Sequence, residues 1–150
     1  MSRIVITEFI DERALPALRA KHDVLYDAKL VDDPARLMKE AASADAIVVR
    51  NRTQVRGELL AALKRCRVVG RRGVGLDNID VPACSARGVL ATNTPDVLTE
   101  TTADFGFALM MATARRMAES ERFLRNGQWS KWAYDMFTGS DVHGATLGII

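Results

Sequence analysis

The chain of 150 residues is 48% hydrophobic and 27% charged, a balance that suits a folded domain with its own core and excludes disordered and fibrous classes. Its 21 Lys and Arg stand against 19 Asp and Glu, a formal charge of +2. Nothing in that balance points to nucleic acid or a membrane surface as a partner.

The opening MSRIVITEFID meets Glu8 and Asp11 too early to form the apolar core of a signal peptide, so a cytoplasmic protein is expected. From there short apolar runs alternate with helical patterns. Strands are expected at 3–9, 23–26, 46–49, 67–70 and 89–93, and helices at 12–21, 34–42 with Pro34 in the first turn, 57–65 and 81–87. Strands that are apolar almost without alternation suit a parallel sheet covered on both faces, which makes the first hundred residues a doubly wound α/β lobe. Such sheets bind ligands at the carboxyl ends of their strands. The loops to watch are therefore RNRTQ (50–54), GRRGVG (70–75) and TNTPDVLTE (92–100).

After Pro95 almost thirty residues carry no proline and only Gly106, which reads as one long helix. Thr101-x-x-Asp104 suggests a capping box at its start, Gly127 a stop, and Arg122 and Arg125 cations suited to its end. Residues 105–114 are apolar nearly all round, implying burial on several sides, yet the run is shorter than the roughly 20 residues of a membrane span. The aromatic stretch 127–144 is long for a loop, and loops of that length usually have a function. ATLGII (145–150) reads as the opening of another buried strand, so the chain is expected to be the front portion of a larger protein.

Gly70, Gly73 and Gly75 read G-x-x-G-x-G, the reverse of the dinucleotide fingerprint G-x-G-x-x-G. Bare N–H groups at Val74 and Gly75 suit an anion-binding concavity that fits a carboxylate; a plain tight turn is the alternative. Lys64, Arg65, Arg67, Arg71 and Arg72 make the surroundings basic, with no acid over 64–76, a pattern that is usually a solvated face. Arg50 and Arg52 suit two-pronged bonding to a carboxylate. Asp77 and Asn78 are expected to stitch the turn, Thr94 and the following helix start offer an anion seat, and Thr99, Thr101 and Thr102 read as caps. His22, at a helix end before a strand, and His143, in a loop beside Gly144, have no recognisable acid partner or nucleophile and read as surface residues, so no triad can be assembled. Cys66 and Cys84 lack metal-ligand spacing and read as small buried thiols, with no metal site expected.

Taken together, VVGRRGVGLDNIDVPACSARGVLATNTPDVLTETTADFGFALMMATARR, NGQWSKW and GSDVHGATLGII resemble the D-2-hydroxyacid dehydrogenase family. The TPDVLTETTAD, W-x-x-W and TGSDVHG stretches are most similar to its glyoxylate/hydroxypyruvate reductases and 2-ketogluconate reductases. The resemblance implies an α/β protein: a flavodoxin-like doubly wound parallel-sheet lobe over 1–98, the N-terminal part of a substrate-binding lobe, then the start of a Rossmann NAD(P)-binding lobe over 99–150. That second part would hold a long interlobe helix, a dimer arm and a first strand, with a hinge at 94–98 and the remainder of both lobes beyond residue 150.

The activity implied is hydride transfer from NADPH or NADH, NADPH being favoured, to a small 2-oxo acid such as glyoxylate, hydroxypyruvate or 2-ketogluconate, giving the D-2-hydroxy acid. By the same resemblance the substrate carboxylate rests on Val74 and Gly75, Asn51 and Arg52 line the substrate side, and Val74 and Thr102 lie by the cofactor. Trp132 is expected to reach into a neighbouring subunit's site, which implies a homodimer. The family's catalytic Arg, Glu and His are expected beyond residue 150, so no catalytic residue is assigned within 1–150. Two other readings stay open: a phosphoglycerate dehydrogenase-type enzyme, which needs basic residues for a phosphate, and a non-catalytic dinucleotide-sensing binding or corepressor module of the same fold.

Overall fold

The computed structural model describes residues 1–149. Its five apolar runs form β1 (Arg3–Ile6), β2 (Asp23–Tyr26), β3 (Ala46–Val49), β4 (Val68–Arg71) and β5 (Leu90–Thr92). They pair in the order β2-β1-β3-β4-β5, every pair parallel. Alternate residues feed two cores, as the period of two in a strand requires. Val5, Ile47, Val49 and Val69 pack with Leu37, Leu59, Leu60 and Leu63 on one face; Ile4 and Ile6 pack with Ile10 and Leu15 on the other. Each fully buried Val, Leu or Ile is worth about 1.5–3 kcal/mol, which is why runs this short still define strands.

The helices start where the sequence marks them. Asp33 accepts the Arg36 N–H at the head of α2 (Pro34–Ala41), and Asp80 accepts the Ala83 N–H at the head of α4 (Val81–Ala86). β1 stops at Ile6, short of the expected 3–9, and two helices are also clearly shorter than their patterns. A 3-10 turn (Glu12–Ala14) takes the first part of the expected 12–21 helix and leaves α1 as Leu15–Arg19. The third helix, α3 (Gly57–Ala62), stops before residue 65, and the Arg87 guanidinium donates to the carbonyls of Leu60 in its last turn and of Leu63 just past its end. Cys66 and Cys84 are free and buried, and burial raises both thiols above the ordinary value.

These elements make one compact unit, Met1–Asp96; a second, Val97–Ile150, follows. In the second unit the expected single helix is two, α5 (Thr99–Ala114) and α6 (Met117–Arg125). The break needs neither glycine nor proline. Arg116 takes a left-handed conformation, held by a 2.6 Å bond to the Glu119 carboxylate and by stacking of its guanidinium over Phe137. The Ser140 N–H takes the Ala114 carbonyl at 2.8 Å, a carbonyl that a continuous helix would give to the N–H four residues on. Gly139 lies so close to that carbonyl that a Cβ would overlap it.

At the other end Gly127 stops α6 as expected. Its φ is +67°, its N–H reaches the Leu124 carbonyl, and the Gln128 N–H reaches Phe123, the paired bonds of a Schellman cap.

Three further expectations fail here. The capping box does not form: α5 begins after Leu98 with no side-chain cap, and the Thr101 hydroxyl donates to the Leu98 carbonyl instead. The apolar run on α5 is not buried, with Phe105 65%, Phe107 59% and Leu109 52% exposed, since α6 is the one helix packed beside it within this unit. No strand forms over 145–149, where no described segment supplies a ladder partner; Ile150 lies outside the described residues. No helix among the described residues is long and apolar enough to cross a membrane.

Candidate functional site

At the carboxyl end of the sheet, the loop after β3 is built around an acid that falls within the expected strand 3–9 and carries no functional signal there. Glu8 lies two positions beyond β1 and is 5% exposed. One carboxylate oxygen accepts the N–H groups of Arg50 and Thr53, each at 3.0 Å. The other accepts those of Asn51 at 3.3 Å and Arg52 at 3.1 Å. Burial works against ionisation, but the amides of Thr53, Arg50 and Arg52 and the Thr53 hydroxyl outweigh it and hold the Glu8 carboxyl below its ordinary value. Beneath it the Thr7 and Thr53 hydroxyls share a 2.8 Å bond.

Asn78, also 5% exposed, holds the same loop by its carbonyls. Its side-chain amide donates to Thr53 O at 2.8 Å and Arg50 O at 3.3 Å. Asn78 thus ties two loops together where it was expected to stitch its own turn. Asp77 makes no such stitch: its main-chain carbonyl accepts from Arg56, and its carboxylate lies beside Gly75, 2.9 Å from where a Cβ would stand.

Arg52 is exposed, but its guanidinium is committed to Asp32, whose carboxyl it holds below the ordinary value. It lines a groove of about 450 Å³ with Val31, Leu37, Arg56 and Leu59. Asn51 and Arg50 are exposed.

The glycine turn after β4 presents the opposite situation. Its frame is fixed: the Arg72 N–H donates to Val49 O, Gly73 O accepts the Thr94 N–H, and Val74 O accepts from the Asn93 side chain at 2.8 Å. Gly73 needs to be glycine, with φ +143° and the Arg71 guanidinium lying where a Cβ would go. Inside this frame the N–H groups of Val74 and Gly75 find no acceptor among the described residues, and both residues are exposed. Open amides at a strand's carboxyl end, with Arg71 alongside, can receive a small anion. Thr94, expected at an anion seat, spends its own N–H on Gly73.

The basic neighbourhood read from 64–72 divides around β4. Lys64, Arg65 and Arg67 lie before the strand, where Arg65 pairs with Asp45 at 3.0 Å; Arg71 and Arg72 lie at its far end, with Arg72 donating to Phe9 O and stacked on its ring. His143 is exposed, while His22 is half-buried with Nδ1 unpaired. Among the described residues no cluster of His, Cys, Asp and Glu could hold a metal ion.

In the second unit Thr102 is exposed on the first turn of α5. Trp132 is 74% exposed and meets Tyr134 edge-on at 6.5 Å. Nearby, Met117, Phe123, Leu124, Trp129 and Phe137 line an apolar pocket of about 420 Å³.

Residues 4–138 match the model of the D-isomer specific 2-hydroxyacid dehydrogenase catalytic domain. A glyoxylate reductase of Korarchaeum cryptofilum is 39% identical over 150 residues, covering 99% of this chain and 45% of that protein. The chain therefore spans under half the length of this curated relative. Among solved structures, the TT0316 protein of Thermus thermophilus superposes with a TM-score of 0.82 at 31% identity over 93% of this chain and 45% of that one. An NADPH-dependent glyoxylate/hydroxypyruvate reductase of Sinorhizobium meliloti in complex with citrate gives 0.72 at 32% identity over 86% and 40%.

Proposed function

Because the chain belongs to the D-isomer specific 2-hydroxyacid dehydrogenases, we propose that the whole protein reduces a small 2-oxo acid to the D-2-hydroxy acid, and that residues 1–98 carry the seat for the substrate's carboxylate. One observation carries this reading. Of the two amide-lined loops described above, the one after β3 is filled by Glu8 and the one after β4 is open at Val74 and Gly75. A 2-oxo acid held there by its carboxylate has its keto carbon fixed in place and direction, which is the entropic part of catalysis. Asn51 lines the approach to the site, and glyoxylate, hydroxypyruvate and 2-ketogluconate are the substrates proposed.

The reducing equivalent is proposed to come from NADPH or NADH. Among the described residues no G-x-G-x-x-G turn lies between a strand and a helix. Residues 99–150 are proposed as the start of the cofactor lobe, with Thr102 and Val74 near the nucleotide. The exposed apolar side chains of α5, together with Trp129 and Trp132, support a homodimer.

Gly75→Val tests the seat. Its Cβ meets only the carboxylate end of Asp77, a flexible group, so the fold is retained while the branched side chain covers the amide. Losing two charge-assisted bonds should cost about 3 kcal/mol and raise KM for the 2-oxo acid about 100-fold. NADPH affinity should change far less. An equal loss of cofactor affinity refutes the assignment, and steady-state assays of glyoxylate, hydroxypyruvate, 2-ketogluconate and a phosphorylated 2-oxo acid identify the substrate.

A further inference from the structure

In a parallel sheet of order 2-1-3-4-5, the crevice between the carboxyl ends of β1 and β3 is the usual ligand position, because the chain leaves those strands in opposite directions. Here a side chain of the protein occupies it. Glu8 reaches in from the end of β1, and each of its oxygens takes two of the four N–H groups over residues 50–53. Asn78 takes two carbonyls of the same loop. The loop's inward-facing donors and acceptors are thus consumed by two buried side chains, although Arg50, Asn51 and Arg52 are themselves exposed. Asn78 stands three residues after Gly75, so whatever fixes the loop also fixes the far side of the glycine turn.

We propose that Glu8 is a positioning residue for the 2-oxo acid site: its carboxylate fills the β1–β3 crevice as a built-in anion, holds residues 50–53 in shape, and through Asn78 sets the turn that presents Val74 and Gly75. The inference rests on the reading of that turn as the substrate seat. It has two consequences. The substrate's carboxylate is refused at the β3 loop, whose amides are already bonded, and accepted at β4, whose amides are not. The loop's position also depends on charge at Glu8 as well as on its shape, since four donors converge on two oxygens.

Glu8→Gln separates these features. It keeps length and shape, but its single carbonyl oxygen serves only one pair of amides, and its NH2 group faces the other pair as a second donor. In the full-length protein, amide hydrogen exchange over residues 50–53 should quicken about tenfold or more. The β1–β3 amide of Thr7, bonded to Val48 O, should stay protected. KM for glyoxylate should rise about tenfold with kcat changed less than about twofold, and NADPH binding should be unmoved.

Unchanged exchange at 50–53, or faster exchange with no change in KM, overturns the proposal. A parallel fall in kcat and NADPH affinity overturns it as well, marking Glu8 as a general stabiliser. If Glu8→Gln does not fold, the parent protein still decides: the amides of Arg50 and Arg52 must be protected although both residues are exposed, and free exchange there refutes the clamp. Failure of the seat itself looks different, because Gly75→Val would then leave KM unchanged while residues 50–53 still responded to Glu8→Gln.

Discussion

Replacing Asn78 by Leu tests whether the β3 loop is held from both sides. The two side chains have similar shape, and Asn78 is 5% exposed, so Leu fits while removing both N–H donors. The carbonyls of Thr53 and Arg50, now bonded at 2.8 and 3.3 Å, would be left with no other donor among the described residues. An unsatisfied buried group costs about 1–3 kcal/mol. The shorter bond belongs near the middle of that range and the longer near its foot, so the loss should be about 3 kcal/mol. In urea, with a slope of about 2 kcal/mol per molar, the unfolding midpoint should drop by roughly 1.5 M at unchanged slope. Asn93→Leu is the control: its amide donates at 2.8 Å to Val74 O in an exposed turn, where water can replace it, and it should cost well under about 1 kcal/mol. If Asn78→Leu shifts the midpoint no further than Asn93→Leu, the clamp reasoning is wrong.

Glu8 adds a pH dependence of defined sign. Its folded carboxyl lies below its ordinary value, so its contribution to stability is present above the ordinary glutamate range and lost as pH falls through the depressed folded value. The urea midpoints of parent and Glu8→Gln should therefore converge on acidification; parallel curves would contradict the assignment. Other acids, such as Asp27 and Asp45, are depressed in both proteins and cancel in the difference. Gly127→Ala should lower stability by about 1 kcal/mol, since φ is +67° and nothing crowds the position; an unchanged melting temperature would mean the cap does not form. Trp132→Ala should alter discrimination among 2-oxo acids only in the dimer, and unaltered selectivity removes Trp132 from the site.

The strands were legible because a parallel sheet covered on both faces needs uninterrupted apolar runs, and AIVV and VVG are runs rich in β-branched residues, of strand length and bounded by polar or glycine-containing loops. The helix start at Pro34 and the stop at Gly127 were legible because they depend on neighbours a few residues away; the Asp33 and Asp80 caps follow the same local rule. What escaped depends on distant partners. Glu8 shows no partner until β1 and β3 are placed side by side, bringing it to amides more than forty positions away. The visible signal was an acid just past one strand's carboxyl end and a loop with no acid of its own past another's. The break at Arg116 was hidden for the same reason: Phe137 and Ser140, which hold it, are unrelated to any helix-breaking pattern. The Arg52–Asp32 pair was hidden because Asp32 lies on a 3-10 turn, Leu30–Asp32, that carries no periodic signature.

Both thiols of the first unit lie under the sheet's packing, Cys84 wholly enclosed and Cys66 6% exposed, and burial keeps each in its unreactive protonated form. An alkylating reagent meets no thiolate while that packing stands. Modification then proceeds only during excursions that open the interior, at a pace set by their frequency or population. The pair serves as an internal stopwatch, recording how long the folded arrangement survives without any probe having to be attached.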